Sequence, residues 1–183
     1  MTIHGVPASG KSKTVEWLLR LLGNYSHTST GAIARKIALE YGFSEEKFDT
    51  FPKYARDNNI PYDQLIDNHL KELNNKNENI IVDSRLGYFF IPDSFKVLLN
   101  TPLKIAARRM FKDPKRRGKY QNAVEVYKHL LGREQSDRKK YLELYDTDYT
   151  LKTNFDFVIP TTFRVEEVAN MIFVEFGIWC AAK

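Results

Sequence analysis

Eight residues near the start of the chain constrain its fold more than any other feature. Gly5-Val6-Pro7-Ala8-Ser9-Gly10-Lys11-Ser12 fits the phosphate-loop pattern G-x-x-x-x-G-K-[ST]. The pattern works only where a strand ends and a helix begins. There, glycines let the backbone curl so that successive N–H groups meet phosphate oxygens, and the helix adds its positive N-terminal end. The chain supplies both neighbours, a short β-type run Thr2-Ile3-His4 before the loop and an amphipathic stretch from Lys11 to Leu22 after it. In such a loop Lys11 offers a point charge to the β and γ phosphates of ATP, and the Ser12 hydroxyl is placed for Mg²⁺. The bare structural alternative is a tight strand-to-helix turn capped by Ser12.

Around the loop, apolar clusters alternate between short β-type runs and longer helical periods. Strands are expected at Thr2 to His4, Tyr25 to Thr28, Ile80 to Asp83, Lys96 to Asn100 and Phe157 to Pro160. Helices are expected at Lys11 to Leu22, Gly31 to Tyr41, Tyr62 to Lys76, Pro102 to Met110, Gln121 to Tyr145 and Val165 to Phe176, each with i, i+3, i+4 apolar spacing. Continuous runs such as Ile80-Ile81-Val82, joined by helices, call for a parallel sheet covered on both faces. The expected fold is α/β: a P-loop NTPase with a five-stranded parallel sheet. With 183 residues, 43% of them hydrophobic and 28% charged, one domain is expected over residues 1–183. One cysteine, Cys180, excludes an internal disulfide scaffold. Nothing reads as a signal peptide or a membrane span, so a cytoplasmic address is the default and no membrane partner is expected.

The net charge of +5 is unevenly spread. Residues 104–140 hold thirteen Lys or Arg against four Asp or Glu. Such a block could bind nucleic acid, enclose the phosphates of a small anion, or form a solvated helix face. The stretch Lys112 to Lys119 has one nearby aromatic, Tyr120, and lacks the interleaved aromatic platform of a single-strand binder. A small nucleotide is therefore the expected partner, and nucleic acid is not.

What accepts the phosphoryl group must be read from the rest of the chain. No N-K-x-D tetrapeptide occurs, which argues against a guanine-reading switch. After the second strand, Ser29-Thr30-Gly31-Ala32-Ile33-Ala34-Arg35 brings a hydroxyl, free N–H groups and a guanidinium to one helix start. That set suits a phosphate monoester, because Arg binds phosphate in a forked, bidentate way; a simple helix cap with a solvent Arg is the alternative. Asp83 ends an apolar strand beside Ser84-Arg85, the arrangement that orders Mg²⁺ next to a phosphate loop, although a strand-end Asp also serves as a turn-former.

Three further segments sharpen the reading. Thr30-Gly31-Ala32-Ile33-Ala34-Arg35, then Val82-Asp83-Ser84-Arg85-Leu86-Gly87 with Ile91-Pro92-Asp93, then Thr101-Pro102-Leu103 with Ala107-Arg108-Arg109-Met110, resemble cytidylate kinase in that order. The tail, Arg133-Glu134-Gln135-Ser136-Asp137-Arg138-Lys139-Lys140-Tyr141 with Tyr145, Asp148 and Phe155 to Ile159, is similar to the short, archaeal-type members. The resemblance spans nearly the whole chain except Asn58 to Asn79. It implies a kinase with a monophosphate-binding segment at about residues 30–76 and a mobile lid at about 111–120, using ATP and Mg²⁺ and acting as a monomer. Thr30, Gly31, Arg35 and Arg85 would hold the monophosphate, with Asp137 and Lys140 on the acceptor side. Arg109, Arg116, Arg117 and Arg133 would surround the transferring phosphoryl group. Arg133, Asp137 and Lys140 stand at i, i+4, i+7 and so share one helix face.

Some positions depart from that pattern: Ala34 stands for an aromatic, Leu86 and Pro160 each for an Asp, and Lys140 for an Arg. These bear on base identity more than on reaction type. Kinases with a hydroxyl acceptor need a carboxylate near the end of the second strand to take its proton, and none lies between Asn24 and Arg35. A monophosphate is already an anion near neutral pH and needs no base. Two readings stay open beside CMP or dCMP: another small phosphate acceptor, and a P-loop protein that binds nucleotide or nucleic acid without turnover.

Overall fold

In the computed structural model, which describes residues 1–76, 78–116 and 118–183 apart from the Lys115 side chain, the chain opens with β1 (Thr2–His4), buried throughout. The phosphate loop leads into α1 (Lys11–Leu22). Next come β2 (Ser26–Ser29), α2 (Thr30–Glu40), a 3₁₀ segment Glu45–Thr50, α3 (Phe51–Asp57), α4 (Tyr62–Asn75), β3 (Ile80–Asp83), α5 (Gly87–Phe90) and β4 (Lys96–Asn100). The chain ends with α6 (Leu103–Lys112), a 3₁₀ turn Pro114–Arg116, α7 (Ala123–Tyr145), a 3₁₀ turn Lys152–Asn154, β5 (Phe157–Pro160) and α8 (Val165–Ala181).

The strands are all parallel, in the order β2-β3-β1-β4-β5. Three residues suffice for β1 because it is flanked on both sides: Ile3 pairs with Asp83 of β3 and with Val97 of β4. The ladder continues past its ends, with Val82 N–H donating to Met1 O and Ser84 N–H to Ile3 O. This strand order reverses between β1 and β3, and in open α/β sheets the crevice at the carboxyl ends of the strands there is where ligands bind.

Side-chain alternation along the strands separates two cores. Ile81 joins Ile3, Val97, Leu99 and Ile159 under α1 and α8, through Val15, Leu18, Val168 and Ile172. Its neighbour Val82 turns to the other face, where Ile33, Ile37, Phe51, Leu70 and Phe90 come from α2 to α5. Each such aliphatic or aromatic side chain contributes about 1.5–3 kcal/mol when fully buried. A third cluster, Ala106, Ala107, Met110, Val126 and Leu130 between α6 and α7, supports Val6 and Ala8 of the phosphate loop from below.

Most expected elements form where periodicity places them, and the shifts have local causes. β2 begins at Ser26 rather than Tyr25, whose ring packs edge-on against Phe176 at 6.0 Å. α8 runs past Phe176 because Trp179, one turn on, packs on Phe95 at 5.6 Å. α7 starts at Ala123, where the Asn122 carboxamide oxygen accepts the Val124 and Glu125 N–H groups at 3.0 Å. The helix α3 is not anticipated by the periodicity. It is seven residues long, and its Phe51 is wholly buried against the rings of Tyr41, Phe43 and Tyr62.

Candidate functional site

The phosphate loop has the conformation an anion requires. Gly10 sits at φ 101° and Ala8 at φ 61°, so the chain coils left-handed twice within four residues. At Gly5 a Cβ would come within 2.7 Å of Ser9 Oγ and 3.1 Å of the Leu99 carbonyl, which only glycine avoids. Gly10 is also the N-cap of α1. It offers no side-chain cap and no acidic residue follows in the first turn, so the first N–H groups of α1 are left to an incoming anion. Lys11 folds back over the loop, its Nζ donating to Gly5 O at 2.6 Å and Val6 O at 3.2 Å. Burial lowers the pKa of this ammonium, with Arg85 and Arg133 adding to the effect and Asp83 opposing it. Phosphate oxygens would relieve both the burial and the like charges. Ser9 Oγ is buried without a hydrogen-bond partner among the described residues, and Ser12 stands exposed at the helix start.

A cleft of about 700 Å³ opens beside the loop, bounded by α2, α4, the end of β3 and α7. Gly5, Pro7 and Lys11 line it together with Thr30, Gly31, Arg35, Asp83, Arg85, Arg116, Arg133, Asp137 and Lys140. The sequence-expected acceptor residues Thr30, Gly31, Arg35, Arg85, Asp137 and Lys140 are thus brought to one place from three separate segments. Ser29 Oγ caps α2 by accepting the Ala32 N–H at 3.0 Å, which leaves Thr30 and Gly31 at the helix mouth. The Thr30 hydroxyl is buried and has no partner among the described residues. Buried hydroxyls are normally paired, so Thr30 is a candidate ligand contact at the mouth of α2.

Across the cleft, Asp137 ties two cations to the α7 face. Arg85 reaches it at 2.8 Å and Arg133, one turn earlier on the helix, at 3.8 Å. Lys140, the next residue on that face, meets Asp63 of α4 at 2.7 Å. The i, i+4, i+7 spacing therefore does align Arg133, Asp137 and Lys140, and their partners come from the turn after β3 and from α4.

Ser12 and Asp83 were expected to serve Mg²⁺. Asp83 lies next to Ile3 across the sheet and lines the cleft with Lys11. Burial raises its pKa, while Lys11, His27 and Arg85 pull it down toward the ionised form. One carboxylate and one hydroxyl are a hard-oxygen donor set, and Mg²⁺ is characteristically held by one or two such groups with the substrate phosphates and water. Among the described residues no cluster of three or more His, Cys, Asp or Glu could hold a metal alone. The residues fit Mg²⁺ bound together with nucleotide.

Arg109, expected around the transferring phosphoryl group, does not line this cleft and instead contacts the phosphate loop and Thr161. Its guanidinium donates to Thr161 O at 2.6 Å, Thr161 Oγ1 at 3.2 Å and Ser9 O at 3.4 Å. Ala106, Ala107 and Met110 turn inward from α6, and Arg109 is left on the side facing the β5 end, where it braces the loop from behind. The lid segment also has more anchorage than its charge suggests. Tyr120 packs against the α6/α7 cluster and lies 5.6 Å from the His129 ring. Arg116 lines the cleft from this segment, with Asp113 at 3.7 Å, and Arg117 lies outside the described residues.

Three cleft residues escaped the sequence reading: Asp63, Asp67 and Tyr62 on α4. Asp67 is buried at 9% exposure and accepts the Tyr145 hydroxyl at 2.5 Å. A signal for it exists, because Asp67 interrupts the apolar stripe of α4 between Ile66 and Leu70. His4, at the end of β1, is a fourth. It is stacked on Phe155 at 5.6 Å and edge-on to Tyr149 at 5.5 Å, and burial, with Lys11 and Arg85 nearby, pushes its pKa down to about 3.

Comparison with known proteins adds three findings. Residues 1–141 match a family described as an AAA domain. Over 174 residues the chain is 29% identical to a cytidylate kinase of Methanosphaera stadtmanae, covering 94% of each chain. Over the same length it is 30% identical to a cytidylate kinase of Methanobrevibacter smithii, covering 94% of this chain and 95% of the other. Among solved structures, a shikimate kinase from Bacteroides thetaiotaomicron superposes with a TM-score of 0.62 at 15% identity, over 96% and 97% of the two chains. At that identity the last likeness shows the fold alone.

Proposed function

We propose, from the premise that this chain belongs to the cytidylate kinase family of P-loop kinases, that it transfers the γ-phosphoryl group of ATP to CMP or dCMP. The observation that carries this reading is the cleft, where Lys11, Arg35, Arg85 and Arg133 converge with Thr30 on one volume beside the phosphate loop. A phosphate monoester is the acceptor those groups fit, since each would gain a charge-assisted hydrogen bond.

In the transfer, an acceptor phosphate oxygen forms a bond to the γ-phosphorus while the bond from that phosphorus to the bridging oxygen breaks and ADP leaves. No proton need be removed, because the acceptor is already ionised near pH 7. The chain's contribution is position and charge. The loop N–H groups and Lys11 hold the donor phosphates. Thr30, Gly31, Arg35 and Arg85 orient the acceptor, with Arg85 aligned by Asp137. Arg133, with Arg116 and Arg117 from the segment 111–120, offsets the charge that gathers between the two nucleotides, and closure of that segment excludes water. Mg²⁺ held by Ser12 and Asp83 would neutralise the donor phosphates.

The test is ADP release with ATP, Mg²⁺ and a panel of nucleoside monophosphates. CMP and dCMP are expected to give the highest kcat/KM, and chelator to abolish turnover. Turnover with none of the monophosphates, or transfer that needs no divalent metal, would overturn the reading.

A further inference from the structure

The cleft has two chemically different ends. Arg133 marks the phosphate end, and α7 then passes Asp137, Lys140 and Tyr141 before reaching Tyr145. Twelve residues at 1.5 Å each make that run about 18 Å, long enough for a monophosphate to lie along it with its base toward Tyr145. α4 forms the opposite wall there. Asp63 meets Lys140, and one turn on Asp67 meets Tyr145.

Asp67 is unusual for its place. It is nearly buried, its neighbours Ile66 and Leu70 are core residues, and it still lines the cleft. An ionised carboxylate can accept about four hydrogen bonds. Among the described residues Asp67 receives one, from Tyr145. Burial and the adjacent Asp67 raise the Tyr145 pKa, so the phenol stays a donor and holds one carboxylate oxygen in place. Burial raises the Asp67 pKa as well, as does Asp63, while the Tyr145 hydrogen bond, Lys71 and Lys140 act against it. The remaining acceptor capacity faces the cleft, where a ligand donor can take the place of water.

We propose that Asp67, positioned by Tyr145, selects the acceptor's base by accepting a hydrogen bond from an exocyclic amino group. This rests on the cleft being the acceptor site. Cytosine presents an N4 amino donor where uracil presents an O4 acceptor, and a carboxylate pairs with the first and repels the second.

The experiment compares kcat/KM for CMP and UMP in the wild type, Asp67→Asn and Tyr145→Phe, with thermal melting and the ATP KM measured for each. The wild type is expected to prefer CMP. Asp67→Asn presents an amide that can donate as well as accept, so the CMP:UMP preference should fall by about tenfold or more through KM, with the ATP KM unchanged. Tyr145→Phe loosens the carboxylate and should erode the preference less, in the same direction. A merely structural role would change melting temperature and leave the preference alone. If Asp67→Asn melts below the assay temperature, Tyr145→Phe decides, and an unchanged preference there overturns the proposal. A wild type that prefers CMP and keeps that preference in both variants overturns the role of Asp67 alone. A wild type that phosphorylates no cytidine monophosphate overturns the acceptor reading itself.

Discussion

On the proposed reading, the phosphate loop and the cleft beside it both receive phosphate, by opposite means. The loop uses eight consecutive residues, and its ligands are backbone N–H groups set by the left-handed turns at Ala8 and Gly10. In the cleft the proposed ligands are side chains from α2, the turn after β3 and α7, and their aim depends on pairs such as Arg85 with Asp137 that join distant segments. A backbone site needs almost no particular side chains besides Lys11 and the glycines. A side-chain site can be retuned one residue at a time, which is what discrimination among acceptors demands.

The sharpest way to break this contrast is at the one side-chain charge the loop does contribute. Lys11→Ala is expected to lower kcat by about 10³-fold or more while the melting temperature changes little, because among the described residues Lys11 bonds the loop carbonyls of Gly5 and Val6. Near-normal turnover with Mg²⁺ and ATP would mean the backbone alone carries the donor.

Next in size is the segment between the two regions. Replacing Arg116 and Arg117 together by Ala should depress kcat on the order of 10²-fold with little effect on ATP affinity. Hydrogen exchange over 111–120 should slow only when both substrates are bound, since their phosphates offset the like charges that otherwise repel. Protection in the free protein, or an unchanged kcat, would remove the lid from the mechanism.

Within the cleft, Arg85→Ala should raise the acceptor KM by about 10- to 100-fold and leave the ATP KM near its starting value, as expected for loss of a charged hydrogen bond. Equal effects on both substrates would erase the distinction between the two sites. Thr30→Val asks the same question at smaller scale. Its hydroxyl is buried and has no partner among the described residues, so replacement should stabilise the free protein by about 1 kcal/mol and weaken the acceptor roughly tenfold. A loss of stability would show that the hydroxyl serves the fold.

The smallest expected effect concerns His4, where β1 hands over to the loop. Its folded pKa of about 3 lies below the ordinary 6.5, so between those values the unfolded chain binds a proton that the folded chain does not. Stability therefore falls as pH drops below about 6.5, by up to about 1.4 kcal/mol per unit. Denaturant unfolding at pH 7 and pH 5.5 should show the wild type losing about 1 kcal/mol more than His4→Phe. Identical losses would mean that His4 is protonated in the fold.

What the sequence determined by itself is whatever depends on neighbours in the chain. The loop, the five strands, the capped start of α2 and the shared face of Arg133, Asp137 and Lys140 follow from spacing, because a period of 2 or 3.6 and a glycine's φ are local properties. The tertiary structure decided the rest. Which face of α6 turns inward depends on packing with α7, and that packing sets Arg109 on Thr161 and Ser9 instead of in the cleft. That Asp67 meets Tyr145, 78 residues further along the chain, depends on α4 and α7 lying side by side over the sheet. Desolvation is a property of the assembled core, so the shifted acidity of His4, Lys11 and Asp83 exists only once β1, β3 and α1 have come together.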